Sequence, residues 1–442
     1  MIGKPARPYV ALLLLPVAVA CGRASPPSRR ATPRADARSL AGHSPQSRAE
    51  LPTTSGAIAV GNLEAQIAGL ERLLGAGANP KPTRVALVSA LLLRGQTLGR
   101  IADYERAETL ADEIVRQAPA DGEARLARAS VRATFHRFAE ALADLGEAEK
   151  GGIADGRVEE QRAAILQATG RLDEALELRR LLARLRPKLR QMAAEATVLA
   201  DRGEPEAAER RFIEAQRHFV DVNPFPLAWL YLQEGLMWQK QGRPARAREL
   251  YQAACERLPA YAPAASHLAA VLGQTGDRAR AIEILRPLAG ASDDPEYAEQ
   301  LSVLLRDDGQ AAEADRLHAR AAARYAALLA RHPDAFADHA ARFYLGPAAE
   351  PARALALAER NFKNRPTADA RQLLIEAALA ARAPARACAV AEAASAASHP
   401  TASLHVAAAR AFAACGRPDR AQAEKQAALG AQPVGSGSRA AD

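Results

Sequence analysis

The stretch that decides the fold is residues 228–259, AWLYLQEGLMWQKQGRPARARELYQAACERLP. Its first half places Trp229 and Leu236 two helical turns apart, with further apolar side chains between them at helical spacing. Gly242 then interrupts the pattern, because glycine tolerates the left-handed backbone that ends a helix. Pro244 opens the second half, where a missing N–H costs little. The stretch therefore predicts two helices joined by a tight turn.

The same pattern recurs along the chain, and one alanine in the second helix marks each copy. The spacings between these marker alanines are 34, 34, 33, 39, 34, 33, 40, 33 and 34 residues. A period near 34 is typical of stacked helical hairpins. Each hairpin leaves an apolar face that only its neighbours cover, so the array grows as a solenoid. The marker alanines are Ala107, Ala141, Ala175, Ala208, Ala247, Ala281, Ala314, Ala354, Ala387 and Ala421.

This pattern resembles the tetratricopeptide repeat. That family has a small residue twelve positions before the marker alanine, a turn glycine five before it and a large inward side chain four after it. The small residues here are Gly95, Ala129, Ala163, Ala196, Gly235, Ala269 and Ala409, the turn glycines are Gly170, Gly203, Gly242, Gly276, Gly309 and Gly416, and the large side chains include Phe212, Tyr251 and Leu285. The resemblance covers residues 85–433. It implies an all-α fold, a right-handed α-solenoid of about ten tetratricopeptide-type (TPR-type) helical hairpins.

The N-terminal residues predict export. Lys4 and Arg7 precede an apolar run that is too short to span a bilayer, which takes about 20 residues. The run ends AVAC at residues 18–21, which resembles the lipobox of bacterial lipoproteins, whose cysteine is lipidated. We interpret residues 1–21 as a signal peptide with a lipobox-like end, and Cys21 as the lipid attachment site. The alternative is an ordinary signal-peptidase site, since Ala18 stands where the lipobox prefers leucine.

Four further segments follow the signal peptide. Residues 22–56, rich in Ser, Pro, Ala and Arg, cannot bury enough apolar surface to fold and predict a disordered tether. Residues 57–76 predict an N-terminal capping helix, residues 85–433 the solenoid, and residues 434–442 a disordered tail. The resemblance to lipoproteins, with Gly22 rather than aspartate after the cysteine, implies transport to the outer membrane and an array that faces the periplasm.

Two cysteines form a candidate disulfide. An exported chain can form disulfides, because the compartment outside the cytoplasm is oxidising. Cys388 begins a second helix, Cys415 ends the next first helix, and antiparallel stacking places those two ends side by side. The alternative is two buried, small apolar side chains.

The net charge of +8 does not indicate nucleic-acid binding. Residues 1–50 carry +6 of it, which leaves +2 for the other 392 residues. The helical array mixes both signs, as a solvated surface does, and it has no basic stripe with interleaved aromatic side chains. We therefore expect protein partners and a membrane contact through the N-terminal lipid, and no nucleic acid.

Catalytic motifs are not evident in the sequence, which has no glycine-rich phosphate loop and no Cys-x-x-Cys. His332 and His339, with Asp334 and Asp338, form the one dense His/Asp cluster. Pro333 interrupts the helix that would bring both imidazoles to one face. We expect no catalytic residue, no cofactor and no metal. A periplasmic enzyme or metal-binding module that uses this cluster is the alternative function.

Two of the spacings, 39 and 40, exceed the period. The first comes from extra residues around 221–226, and the second from a longer second helix, from about Ala311 to Arg331. We expect the twist to change at both points and to divide the array into four, three and three hairpins. The alternative is a tolerated loop insertion, which costs little.

The concave face supplies the candidate binding residues, because the first helix of each hairpin lines it in this architecture. Trp229 is the strongest candidate for a binding residue, since aromatic side chains anchor interfaces. A tryptophan at this spacing also fits a buried core position. The candidates are Trp229, Gln233, Leu236, Lys240, Gln274, Glu299, Arg306, His339, Gln372, Glu376 and Arg410. We predict a non-catalytic protein–protein interaction scaffold, a membrane-anchored periplasmic lipoprotein that serves envelope assembly, secretion or polysaccharide export. A secreted, unlipidated regulator of an enzyme is a further possibility.

Overall fold

The computed structural model describes residues 51–77, 80–346, 350–395 and 399–430, and the regular structure in these ranges is entirely helical. The predicted signal peptide, Cys21, most of the predicted tether and the predicted tail lie outside the described residues. Within them, no helix has the length and apolar character that crossing a membrane requires. The helices are α1 (Gly56–Gly75), α2 (Pro80–Leu98), α3 (Ile101–Gln117), α4 (Gly122–Thr134), α5 (Phe138–Lys150), α6 (Arg157–Ala168), α7 (Leu172–Leu185), α8 (Leu189–Asp201), α9 (Pro205–Arg217), α10 (Pro224–Lys240), α11 (Pro244–Arg257), α12 (Ala262–Gln274), α13 (Arg278–Ala291), α14 (Pro295–Asp307), α15 (Ala311–Arg331), α16 (Pro333–Tyr344), α17 (Pro351–Asn364), α18 (Ala368–Ala380), α19 (Pro384–Ser395), α20 (Ala402–Ala414) and α21 (Pro418–Gly430).

Helices α2 to α21 pair in chain order into ten hairpins, numbered here from hairpin 1 (α2 and α3) to hairpin 10 (α20 and α21). Every marker alanine lies in the second helix of its hairpin, and none is more than 4% exposed. A methyl side chain at this point lets the two helix axes approach closely. The fold class predicted from the sequence, an all-α solenoid of about ten TPR-type hairpins, is therefore confirmed.

The turns inside the hairpins follow the glycine prediction. All six predicted turn glycines have a positive φ, between 67° and 98°. In hairpins 2 and 9 the same position holds His136 and Arg382, each with φ of 55°. A side chain in this region costs roughly 1–2 kcal/mol, because its Cβ crowds the following carbonyl. The chain therefore accepts strain at two turns that glycine would relieve.

The helix at the N-terminal end of the array covers hairpin 1. The segment predicted as a capping helix, residues 57–76, lies in α1, whose Leu63 and Ile67 are buried. The first residue of α1, Gly56, lies against hairpin 5, where a Cβ would come within 2.5 Å of the Arg257 carbonyl oxygen. Helix α1 therefore contacts both its neighbour in sequence and a hairpin far along the chain.

The coil closes on itself, because hairpins 1–3 contact hairpins 6–9. We call this contact the seam. Its first element is Asp293, in the loop between α13 and α14, whose carboxylate accepts hydrogen bonds from the N–H groups of Ile101 (2.7 Å) and Ala102 (3.0 Å). These two groups open α3 and have no partner inside that helix. The cap of α3 is therefore supplied by a residue 192 positions away.

The second element of the seam is the strained turn of hairpin 2. His136 Nδ1 lies 3.2 Å from the carbonyl oxygen of Asp334, and the His136 carbonyl accepts a hydrogen bond from Asn364 Nδ2 at 2.9 Å. Both partners belong to hairpin 8. Contacts across the coil thus hold His136 in its left-handed conformation.

The extra residues that produce the two long spacings lie where distant parts of the coil meet. Helix α15 has the predicted bounds, Ala311–Arg331, and its additional turns bring Leu328 into the apolar core formed by hairpins 1 and 2. The extra residues before α10 meet the N-terminal segment, where the Val222 carbonyl accepts a hydrogen bond from the Thr54 N–H at 2.7 Å. The extra residues therefore take part in contacts between distant parts of the coil, while the predicted change of twist stays a prediction.

Candidate binding face and the cleft at the seam

The predicted concave-face residues differ in their exposure. Gln274, Arg306 and Arg410 are exposed, whereas Trp229, Gln233, Leu236 and Glu376 are only partly exposed. Arg306 forms an ion pair with Asp315 at 2.7 Å, in the second helix of its own hairpin. Three candidates therefore present well-exposed polar side chains.

Three other candidates do not present free side chains, which corrects the expectation of one open face. Glu299, His339 and Gln372 are less than 10% exposed. Glu299 accepts a hydrogen bond from His318 at 2.8 Å, and Gln372 donates one to Glu376 at 2.9 Å. Glu299 and Gln372 are therefore already hydrogen-bonded within their own hairpins.

Lys240 is used within the fold. Its ammonium lies 2.9 Å from a carboxylate oxygen of Asp369 and 3.4 Å from one of Asp201, so it joins hairpins 4, 5 and 9. Burial opposes the charge, but the two carboxylates outweigh it and raise the pKa of Lys240 above its ordinary value. The side chain is still one-third exposed, at 33%. This residue therefore links hairpins 4 and 5 to hairpin 9, outside the seam.

The two histidines of the predicted cluster separate in the structure. The imidazole of His332 stacks on Phe135 with ring centroids 3.9 Å apart and lies 3.4 Å from a carboxylate oxygen of Glu105. His339 turns the other way, with Nδ1 3.0 Å from Glu296 Oε2. Among the described residues, no group of three or more His, Cys, Asp or Glu side chains is arranged to hold a metal ion. The structure thus offers no support for the alternative function at this cluster.

His339 instead belongs to a buried charged network at the seam. Asp338 lies 3.8 Å from His339 Nε2 and 3.3 Å from the Arg365 guanidinium. Burial opposes the imidazolium, but the carboxylates of Asp338 and Glu296 raise the pKa of His339 to about 9. Burial also opposes the ionised form of Asp338, yet His339 and Arg365 hold its pKa well below the ordinary value. Positive and negative side chains therefore compensate each other in a buried layer.

A small cleft opens beside this network, with a volume of about 40 Å³. We call it the seam cleft. It joins three distant parts of the chain, namely hairpins 1 and 2, hairpin 6, and the starts of α14 and α16. Its lining residues are Gly95, Gln96, Gly99, Ile101, Tyr104, Thr134, Phe135, Pro263, Ser266, His267, Asp294, Glu296, Tyr297, Ala335 and Phe336.

The ionisable groups of the seam cleft are strongly perturbed. Burial, together with the neighbouring Glu296 carboxylate, raises the pKa of Asp294 to about 7. Burial lowers the pKa of His267 to about 4, so its imidazole is neutral at pH 7. Burial also opposes ionisation of Glu296, but the hydrogen bond to His339 holds its pKa below the ordinary value. Perturbed groups in a cleft mark a candidate binding site.

The candidate disulfide is formed, since Cys388 and Cys415 are joined in the structure. It links α19 to the end of α20 and therefore ties hairpin 9 to hairpin 10. The remaining described cysteine, Cys255, is a half-buried free thiol whose pKa burial raises to about 12. A thiol in this state is unreactive.

Comparisons with known proteins add little beyond this architecture. No family model matches this chain, and neither does any curated protein. Similar solved structures include the APC/C hetero-tetramer Cut9-Hcn1, with 14% identity, TM-score 0.38, and coverage of 79% of this chain and 74% of that one. The human IFIT1 dimer with m7Gppp-AAAA has 14% identity, TM-score 0.41, and coverage of 78% and 89%. A tetratricopeptide repeat protein from Parabacteroides merdae has 14% identity, TM-score 0.35, and coverage of 63% and 98%. Similarities at this level carry no argument about function.

Sequence reasoning missed the residues of the seam cleft. Tyr104, His267 and Asp294 lie on three separate elements, and nothing in the 34-residue period relates them. One local signal was available, because Asp294 followed by Pro295 is typical of a helix start. That signal predicts the N-terminus of α14, where the Asp294 side chain accepts from the Glu296 N–H. It does not predict which distant hairpin faces that terminus.

Proposed function

We propose that this chain is a non-catalytic scaffold that binds other proteins and is exported to the cell envelope. The observation that carries the proposal is the array itself, in which ten hairpins stack into one continuous coil. Such arrays present long surfaces built from many similar units, and that suits contact with another macromolecule. The exposed candidates Gln274, Arg306 and Arg410 lie on the first helices of hairpins 6, 7 and 10.

Export is supported by two independent features of the chain. The N-terminal residues have the charge, apolar run and terminal cysteine of a lipoprotein signal. The disulfide between Cys388 and Cys415 suits an oxidising compartment, because cytoplasmic thiols are kept reduced. We propose that Cys21 is lipidated and that the array faces the periplasm from the outer membrane, in envelope assembly, secretion or polysaccharide export.

Lipidation is tested with radioactive palmitate in the native cell. The wild-type chain is expected to incorporate label and to fractionate with the outer membrane, while Cys21→Ser incorporates none and accumulates unprocessed. Cys255→Ser is the matched control, since it removes a cysteine that the proposal does not use. Unlabelled, soluble wild-type protein in the periplasm would favour the unlipidated regulator, and an unprocessed cytoplasmic chain would exclude export.

Partner binding is tested by site-specific photo-crosslinking in the same cells. A photo-reactive amino acid at Gln274, Arg306 or Arg410 is expected to capture the same partner protein from the first-helix face. The control position is Arg280, an exposed residue on the second helix of hairpin 6. The same products from the control position, or none from all three candidates, would contradict a binding role for this face.

A further inference from the structure

The seam cleft has an aromatic wall assembled from distant parts of the chain. Tyr104 belongs to hairpin 1, Phe135 ends the first helix of hairpin 2, Tyr297 lies in hairpin 7 and Phe336 in hairpin 8. All four side chains are between 2% and 5% exposed. Aromatic faces carry partial negative charge and attract cations that lie over them. The wall is therefore suited to a positively charged group.

Two buried side chains of the cleft lining each carry a polar atom that has no hydrogen-bond partner among the described residues. The two atoms are the hydroxyl oxygen of Tyr104 and Nδ1 of His267, on side chains that are 5% and 2% exposed. Buried polar atoms are nearly always hydrogen-bonded, because an unsatisfied group costs about 1–3 kcal/mol. The hydroxyl oxygen accepts hydrogen bonds, and Nδ1 does so when the proton of the neutral imidazole is on Nε2. Both atoms can therefore receive N–H donors.

The ionisable groups that line the seam cleft are mainly acidic. The carboxylates of Asp294 and Glu296 line it, and no lysine or arginine is among its described lining residues. The carboxylate of Asp293 lies next in sequence but is used by the α3 amides and by Arg324. His339 offsets the charge of Glu296 from outside the cleft, at 3.0 Å. Asp294 is then the lining carboxylate that has no positively charged partner within hydrogen-bond distance among the described residues.

We propose that the seam cleft binds the protonated amino group of a small alkylammonium ion, which bridges hairpins 1, 6 and 7. The ammonium donates hydrogen bonds to Asp294, the Tyr104 hydroxyl and His267 Nδ1, and the attached carbon packs on the aromatic wall. The three N–H donors of an ammonium group rotate about the bond to the attached carbon, so they can align with acceptors in several directions. The volume of about 40 Å³ holds roughly three water-sized groups, which suits a head group with one or two carbons. Binding holds the seam closed, because the ion contacts both sides of it.

The proposal is tested with methylammonium chloride on the purified full-length chain, by calorimetric titration and thermal unfolding. Saturable binding is expected, with a rise in the unfolding midpoint that potassium chloride at equal ionic strength does not produce. Tetramethylammonium chloride is expected to bind more weakly, because it has no N–H to donate. Equal midpoint shifts with potassium and methylammonium, or no saturable heat, would overturn the proposal.

The decisive variant is Asp294→Asn, since asparagine still caps α14 but carries no charge. It is expected to weaken methylammonium binding about tenfold or more, the factor that corresponds to 1.4 kcal/mol. Asp277→Asn is the matched control, because Asp277 caps α13 in the same way and does not line the cleft. It is expected to bind as the wild type does.

Tyr104→Phe is the second variant, and it keeps the aromatic wall while it removes one hydroxyl group. We expect it to weaken methylammonium binding severalfold and to leave the circular dichroism spectrum unchanged. If Asp294→Asn does not fold, Tyr104→Phe alone tests the proposal. Unchanged affinity in a folded Asp294→Asn or Tyr104→Phe protein would contradict the proposal that these side chains accept hydrogen bonds from the ammonium.

Discussion

The seam and the C-terminal hairpins hold together in different ways. Hairpins 9 and 10 pack through small apolar side chains, among them Ala391, Ala408 and Ala411, and a disulfide joins them. Besides an apolar contact through Leu328, the seam uses polar contacts between residues far apart in sequence, namely the Asp293 carboxylate that caps α3 and the strained turn at His136. Neighbouring hairpins need only complementary shape, whereas hairpins that meet across the seam also use particular polar partners. The seam is therefore the part of the molecule that single substitutions open most selectively.

The largest effect is expected from Arg365→Met at the seam. Arg365 is 5% exposed and lies 3.3 Å from Asp338, so its removal leaves a buried carboxylate without its guanidinium. We expect a loss of about 4 kcal/mol in the free energy of unfolding, measured by urea titration, and a larger radius of gyration in X-ray scattering. The double variant Arg365→Met with Asp338→Asn is expected to recover part of the loss. A cost below about 1 kcal/mol would show that the seam does not depend on this pair.

Removal of the disulfide tests the other region. The double variant Cys388→Ala with Cys415→Ala opens a loop of 27 residues, and loops of this size correspond to about 3 kcal/mol. Because contacts in a repeat array are local, amide hydrogen exchange is expected to accelerate in α19 to α21 and to stay unchanged in hairpins 1–3. Cys255→Ala is the control, with no change in either region. Uniform acceleration along the chain would mean that the two regions unfold as one unit.

A pH dependence is expected from His136 at the seam. Burial lowers its pKa to about 3, and the charge of Arg365 adds to that shift. The unfolded chain takes up a proton below pH 6.5 that the folded chain does not, so this stability is complete above that pH and is lost as the pH falls toward 3. At pH 5 the loss is about 2 kcal/mol.

The variant His136→Asn checks this effect, because asparagine tolerates a positive φ and does not titrate. It is expected to lose less stability than the wild type between pH 7 and pH 5, as measured by urea titration at both values. If the wild type and His136→Asn lose the same stability between pH 7 and pH 5, that loss comes from other titratable groups. His218→Asn is the control, since that side chain lies in the exposed loop after α9.

The smallest effect is expected from Lys240→Met. The Lys240 side chain is 33% exposed and bridges Asp201 and Asp369. Partly exposed ion pairs contribute up to about 1 kcal/mol and are screened by salt. We expect a measurable loss at low ionic strength that disappears in 1 M sodium chloride. Lys150→Met, which breaks an exposed pair with Glu147 inside α5, is expected to change nothing in either buffer.

Most of the fold followed from the sequence, and most of the seam did not. The marker alanines, the turn glycines and the bounds of α15 were all readable, because each reflects a local rule about helices. The repeat pattern did not show that Glu299, His339 and Gln372 are buried, and their role in binding stays a prediction. His136 and Arg382 both replace a turn glycine, and only the structure shows that His136 lies at the seam.

The sequence by itself determined that this protein is a chain of paired helices, because helix periodicity, turn chemistry and close packing act over about 34 residues. It also predicted which two cysteines can meet, since they lie in adjacent hairpins. Only the tertiary structure decided that hairpin 1 meets hairpin 6 and that a cleft forms between them. That outcome depends on the small rotation between neighbouring hairpins, summed over the whole array, and no local pattern encodes such a sum.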